Sequence, residues 1–185
     1  AEKLIRPALV IPWVFSAIGV PASFSALLLP VKDAGSLLPQ LLVSAKIRAF
    51  EKRKWFWVLP SFIQAIMGFL MAWAVSALEG WAAGVVVISL LAVYSAMSGV
   101  ASVAFKDVMA KTIDKGKRGQ LLGMRSTLGG VLTLLAGIIL FLFVKGSEDL
   151  LVYISIIASG GFLWLISVFF FALIKEYPGA TSGGR

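Results

Sequence analysis

Five stretches of this sequence, residues 8–30, 55–78, 81–104, 119–144 and 150–174, each run for more than 20 residues, and Arg125 is the one charge among them all. A helix that crosses a hydrocarbon core of about 30 Å needs roughly 20 mostly apolar residues, so each stretch has the length and character of a membrane span. The rest of the chain is bound by that constraint. Residues are 59% hydrophobic and 14% charged, against about a quarter charged in ordinary globular domains. Apolar surface on this scale has no solution in water at 185 residues. The sequence therefore predicts an all-α fold, a polytopic bundle of transmembrane helices. The first stretch comes after a basic N-terminal segment but is too long for a signal-peptide core, so it reads as a retained helix.

A sixth candidate, 35–50, is weaker, because Lys46 and Arg48 confine its uncharged part to the portion before them. Taken alone it reads equally as a re-entrant or interfacial segment. Charge placement decides for a span. Lysine and arginine are retained on the cytoplasmic side, and each crossing reverses the side of the next loop. Six crossings from a cytoplasmic N-terminus put 15 of the 17 basic residues inside, leaving only Lys32 and Lys145 outside. With five crossings, the two large basic loops would face outward. The expected architecture is a six-helix bundle over 1–175, both termini cytoplasmic, with a polar linker or tail over 176–185.

The net charge of +8 has its place in this scheme. The basic residues lie between apolar blocks, where they set topology and contact anionic head groups, so no nucleic-acid partner is implied. Cysteine and histidine are both absent, which removes disulfides, thiolate chemistry and imidazole ligands or bases. No phosphate-binding glycine loop, paired carboxylates within one span or metal-ligand cluster is present. An enzyme is not expected, and neither a cofactor nor a metal. Trp13, Trp55, Trp57 and Trp81 lie near block ends and fit an aromatic belt at the membrane surface.

Candidate functional residues are the polar and small ones inside spans. Gly119, Gly123, Ser126, Gly130, Thr133 and Gly137 recur at steps of three and four, a period that keeps them on one helix face. Such a face serves as static packing or as a seam along which two halves rock. Gly84, Ala92, Ser95, Gly99 and Ser102 form a similar face on the preceding span. Arg125 lies about six residues inside its helix, within reach of the head groups by snorkelling, or placed to hold an anionic solute. Gln40, Tyr94, Ser95, Ser98 and Arg125 are the candidates for a solute path. Lys106, Asp107 and Arg118, where two helices leave the membrane, are candidates for a cytoplasmic gate. No aspartate or glutamate falls in the middle of any predicted span, so no proton carrier is expected.

Six helices with basic loops after the second and fourth resemble the N-terminal half of a major facilitator superfamily transporter. The resemblance is carried more specifically by the run Pro30-Val31-Lys32-Asp33-Ala34-Gly35-Ser36-Leu37-Leu38-Pro39-Gln40, by Lys106-Asp107-Val108-Met109-Ala110-Lys111-Thr112 with Arg118-Gly119, and by Glu176-Tyr177-Pro178-Gly179. These are similar to segments of a bacterial subgroup of such permeases, the last to the start of the loop that joins the two halves. The superfamily's glycine and aspartate-arginine pattern after helix 2 is reduced to Arg53-Lys54, and the antiporter glycine-proline signature is missing from helix 5. The resemblance implies a bacterial inner-membrane permease half working by alternating access on a small solute. It implies a second six-helix half as partner, with helices 1 and 4 along the path and helix 5 along the seam. From a different class, the same features fit a six-helix scaffold or assembly subunit that moves no solute. A pore is a third reading, without a repeated filter segment to support it.

Overall fold

The computed structural model describes residues 10–47, 50–144 and 150–176, and over these the chain is all-helical. Six helices run in order: α1 (Ile11–Ala17), α2 (Ala22–Ile47), α3 (Trp55–Ala77), α4 (Gly80–Thr112), α5 (Lys115–Val144) and α6 (Leu150–Ala172). Among the described residues, α2, α3, α4 and α6 are each long and apolar enough to cross a membrane. The chain is thus a polytopic membrane protein. The tail from Tyr177 onward, and the charges Lys3, Arg6, Arg48, Lys145 and Arg185, lie outside the described residues.

The six helices are divided differently from the six predicted spans. The stretch 8–30 is broken after Ala17, the expected loop at 31–34 is helical, and the expected span 35–50 is the second half of α2. Local chemistry explains both differences. Gly19 has φ +70°; its N–H donates to the Ser16 carbonyl, and the Val20 N–H donates to the Phe15 carbonyl at 2.8 Å. This is a Schellman stop, with a left-handed glycine just past the helix end. Pro21 comes next, where no helix N–H is needed. Pro30 and Pro39, by contrast, sit inside α2 without ending it. Prolines are tolerated in membrane helices because neighbouring groups re-satisfy the freed carbonyls and because no water competes for the helix bonds.

The consequence concerns charge. Lys32 and Asp33, expected in a loop, lie near the midpoint of α2, about 15 Å from its first residue. The expectation that no carboxylate occupies the middle of a span is therefore overturned. α1, about 10 Å long, docks beside α2 with Val14 and Phe15 fully buried. The parity argument for a separate span at 35–50 loses its footing, yet the basic ends still gather. The C-terminal ends of α2, α4 and α6 and the N-terminal ends of α3 and α5 meet at one end of the bundle. At the other end the Gly80 N–H donates to the Ile18 carbonyl at 2.9 Å.

α4 is the central helix, packing chiefly on α2 and α3, while α3 also packs on α6. The crossings are built on small residues, which let backbones approach where lipid removes the hydrophobic drive. At the α2–α4 crossing the Ser36 carbonyl oxygen occupies the space a Gly99 side chain would need, and a Cβ on Gly35 would lie 2.9 Å from that of Ser95. Phe24 fills the place a side chain at Gly84 would take. α3 and α6 cross at Gly68 and Gly161, where a Cβ on Gly68 would lie 3.3 Å from the Gly161 Cα. α5 touches α4 only sparingly.

Candidate functional site

Three polar features interrupt this apolar bundle. The first is a partly open cavity of about 320 Å³ lined by α3, α4, α5 and α6 in the half of the bundle nearer the basic end. Trp57 comes from α3, Ser98, Ser102, Phe105 and Lys106 from α4, Arg125 from α5, and Trp164 and Ser167 from α6. Residues 98, 102 and 105 fall at helical steps of four and three, so one face of α4 supplies the polar wall. The Arg125 guanidinium lies 4.5 Å from the Phe105 ring centroid, a cation–π contact that holds it against this wall. The Trp164 indole N–H donates to the Tyr94 hydroxyl at 3.1 Å. Trp57 stacks on Phe171 at 4.0 Å and stands 6.1 Å from Trp164.

The second feature is the Lys32–Asp33 pair, 3.5 Å apart, with side chains 34% and 66% exposed. Asp33 shares a row with Leu29, Leu37 and Leu41, spaced by four residues and all exposed. No other helix of the described chain covers this row. Behind it runs the glycine-lined crossing with α4, where the buried Ser95 hydroxyl has no hydrogen-bond partner among the described residues.

The third is a clasp at the basic end. The Glu176 carboxylate, its side chain fully buried, accepts hydrogen bonds from the backbone N–H of Arg53 at 2.9 Å and of Lys54 at 2.8 Å, and from Lys111 Nζ at 2.9 Å. It thereby caps the start of α3 with an anion, where the helix dipole favours one. Lys54 Nζ reciprocates by donating to the Ala172 and Ile174 carbonyls at the end of α6. Lys111 Nζ also reaches the Glu51 carbonyl. Arg53 lies 3.5 Å from Asp107, an ion pair in which the contacting carboxylate oxygen makes no hydrogen bond among the described residues. Burial pushes the Glu176 carboxyl up. The Arg53 N–H, the Lys111 ammonium and the Lys54 N–H together outweigh burial and bring it below its ordinary value.

Matched against protein families, curated proteins and solved structures, the chain finds no counterpart. Its own geometry carries the rest.

The structure brings together some of the residues singled out from sequence and separates others. Ser98 and Arg125 line the cavity, and Lys106, expected at a gate, lines it with them. Tyr94 is buried behind the wall as the partner of Trp164, and Ser95 faces α2. Gln40 is half-buried on α2 beside Pro39. Asp107 belongs to the clasp. Arg118 instead staples the turn between α4 and α5, donating to the Ala110 and Ile113 carbonyls at 2.6 and 2.9 Å. On α5, added side chains at Gly119, Gly123, Gly130 and Gly137 would meet nothing within 4 Å. Ser126 is exposed and Thr133 donates to its own helix at Gly129. The face expected as a seam is thus uncovered among the described residues, whereas the corresponding face of α4 is a tight crossing with α2.

Sequence reasoning misses Trp57, Trp164 and Ser167 as cavity walls and Glu176 as the centre of the clasp. It assigns Lys32 and Asp33 to a loop, whereas they belong to a helix. The stop at Gly19-Val20-Pro21 is the signal that places them correctly.

Proposed function

We propose that this chain is a transporter unit that moves a small solute across the membrane by alternating access, with the Asp33 face of α2 bordering the path. The observation that carries the reading is the Lys32–Asp33 pair at the middle of a helix, on a face that no other described part of the chain covers. Lysine or aspartate at the centre of a lipid-facing helix costs about 2.5–3.5 kcal/mol each. A 3.5 Å pair between neighbours on one helix recovers part of this, and their other hydrogen-bonding positions have no partner among the described residues. Water or a second bundle against that face removes the cost, and a path between two bundles supplies both. Ionisable groups inside membranes mark such paths.

The glycine-based α2–α4 crossing supports the same reading, since a smooth contact tolerates rocking. So does the partly open cavity, which gives the basic half of the bundle a polar interior. The resemblance to a major facilitator half agrees with a second six-helix bundle, from a longer chain or a second copy, standing across the path. The gathered basic ends favour a cytoplasmic position for that side by the positive-inside tendency, and a bacterial inner membrane fits the subgroup resembled.

Proteoliposomes containing this chain, alone and with a second six-helix bundle supplied, test the proposal with labelled glucose, lactate, benzoate and lysine. Saturable uptake of any of these that Asp33→Asn diminishes is the expected result. A protein that reconstitutes folded, with no saturable flux in either preparation, is instead a membrane scaffold.

A further inference from the structure

We infer that the Lys32–Asp33 pair is a zwitterion site, in which the carboxylate of a small amino acid accepts from the Lys32 ammonium while its own ammonium donates to the Asp33 carboxylate. The site rests on the transport reading for the water-accessible path it borders, and it gives the moved solute a chemical class.

The pair is balanced in charge but poorly closed. Its 3.5 Å separation exceeds the roughly 2.7–2.9 Å of a charge-assisted hydrogen bond. The cause is local, because adjacent residues leave a helix about 100° apart, and two neighbouring side chains must bend toward each other to meet. The Ser36 hydroxyl, within reach of both, donates to the Asp33 backbone carbonyl at 2.9 Å rather than to its carboxylate. Its oxygen therefore stays an acceptor beside the pair. A solute that carries an ammonium and a carboxylate on one carbon replaces the single open contact with two closed ones and keeps the whole balanced. Ions of one sign are matched less well. A cation drawn to Asp33 is repelled by Lys32 beside it, and an anion drawn to Lys32 is repelled by Asp33.

Position and neighbours narrow the ligand further. A zwitterionic lipid also carries one charge of each sign, but its head group stays at the membrane surface, whereas the pair lies at the middle of α2. A free solute is therefore the occupant. Both charged groups are reachable from the uncovered face, and Leu29 and Leu37 are exposed one turn on either side of Asp33. An apolar side chain such as that of leucine rests on this row, while the charged end meets Lys32, Asp33 and the Ser36 oxygen.

Saturation-transfer NMR on the chain in phosphatidylcholine nanodiscs measures binding of leucine, of isoamylamine, which lacks the carboxylate, and of isocaproate, which lacks the ammonium. Leucine should bind saturably, about tenfold or more tighter than either analogue. Asp33→Asn and Lys32→Gln should each weaken leucine about tenfold or more. Selectivity should also cross over: Asp33→Asn should favour isocaproate over isoamylamine, and Lys32→Gln should favour isoamylamine over isocaproate. A merely damaged fold does not produce opposite preferences in the two variants. Equal binding of leucine and its analogues, no saturable leucine binding by folded wild type, or variants that leave leucine unaffected or show no crossover overturns the site. Leucine binding in discs without leucine uptake into proteoliposomes overturns transport and leaves the site intact. Saturable flux of glucose or benzoate without leucine binding does the reverse.

Discussion

Replacing Glu176 by glutamine tests the clasp that ties α3, α4 and α6 together at the basic end. The carboxylate accepts three hydrogen bonds, two from backbone N–H groups that begin α3 and one from Lys111. Glutamine keeps one accepting oxygen, but its NH₂ turns toward a donor. At least one charge-assisted bond of about 1.5–3 kcal/mol is lost. Lys111, its side chain 16% exposed, is left facing a neutral group. Loss of one partner of a buried pair costs about 3–5 kcal/mol. Lys111 retains the Glu51 carbonyl and some solvent, which places the expected loss at about 2–4 kcal/mol. Reversible unfolding in mixed detergent and dodecyl sulfate micelles, monitored by circular dichroism, measures it. The pH dependence gives a second reading. Because the folded-state pKa of Glu176 lies below its ordinary 4.5, its contribution is complete above about that pH and disappears as pH falls through the folded value. The stability gap between wild type and Glu176→Gln should therefore narrow on acidification below pH 4.5. A loss under about 0.5 kcal/mol, or a gap that stays constant with pH, refutes the clasp.

Other expectations come from the packing. Gly99→Ala forces a methyl group into the Ser36 carbonyl oxygen and should cost about 1–3 kcal/mol in the same unfolding assay, whereas Gly130→Ala, on the open face of α5, should be neutral or stabilising. Trp164→Phe removes the bond to the Tyr94 hydroxyl and should cost about 0.6–1.7 kcal/mol. Impermeant maleimide should label a cysteine at Gly116 from the cytoplasmic side and one at Glu79 from the opposite side. Labelling of both from one side would contradict the gathering of basic helix ends.

Much of this fold is legible in the sequence, because in a membrane the hydropathic block is itself the helix. Residues 55–78 and 150–174 match α3 and α6 to within two residues at each end. The N-terminal third is misdivided when Pro30 and the Lys32-Asp33 charges are weighed as loop signals. In lipid, proline inside a helix is tolerated, and the structure carries the Lys32–Asp33 pair within α2; the true stop is Gly19 with Pro21 close behind it. Periodicity finds the small-residue faces of α4 and α5 but does not tell a buried crossing from an uncovered one, since that depends on which helices meet. Ser98 and Arg125 are readable as polar residues within spans. Trp164 is not, because its role depends on Tyr94, which lies on a different helix. Glu176 is hidden for the same reason, its three donors standing far away along the chain.

The most direct test of the account is water access to the Asp33 face of α2 in a bilayer. The chain has no cysteine, so Leu37→Cys, on the Asp33 row, and Ile66→Cys, on the wholly apolar exposed face of α3, are made in an unaltered background. Labelling by a small charged methanethiosulfonate reagent is then measured in membranes. The account predicts that Leu37→Cys reacts readily and Ile66→Cys does not, because thiolate chemistry needs water and only the first position borders a solute path. Equal protection of both positions from the reagent would contradict it.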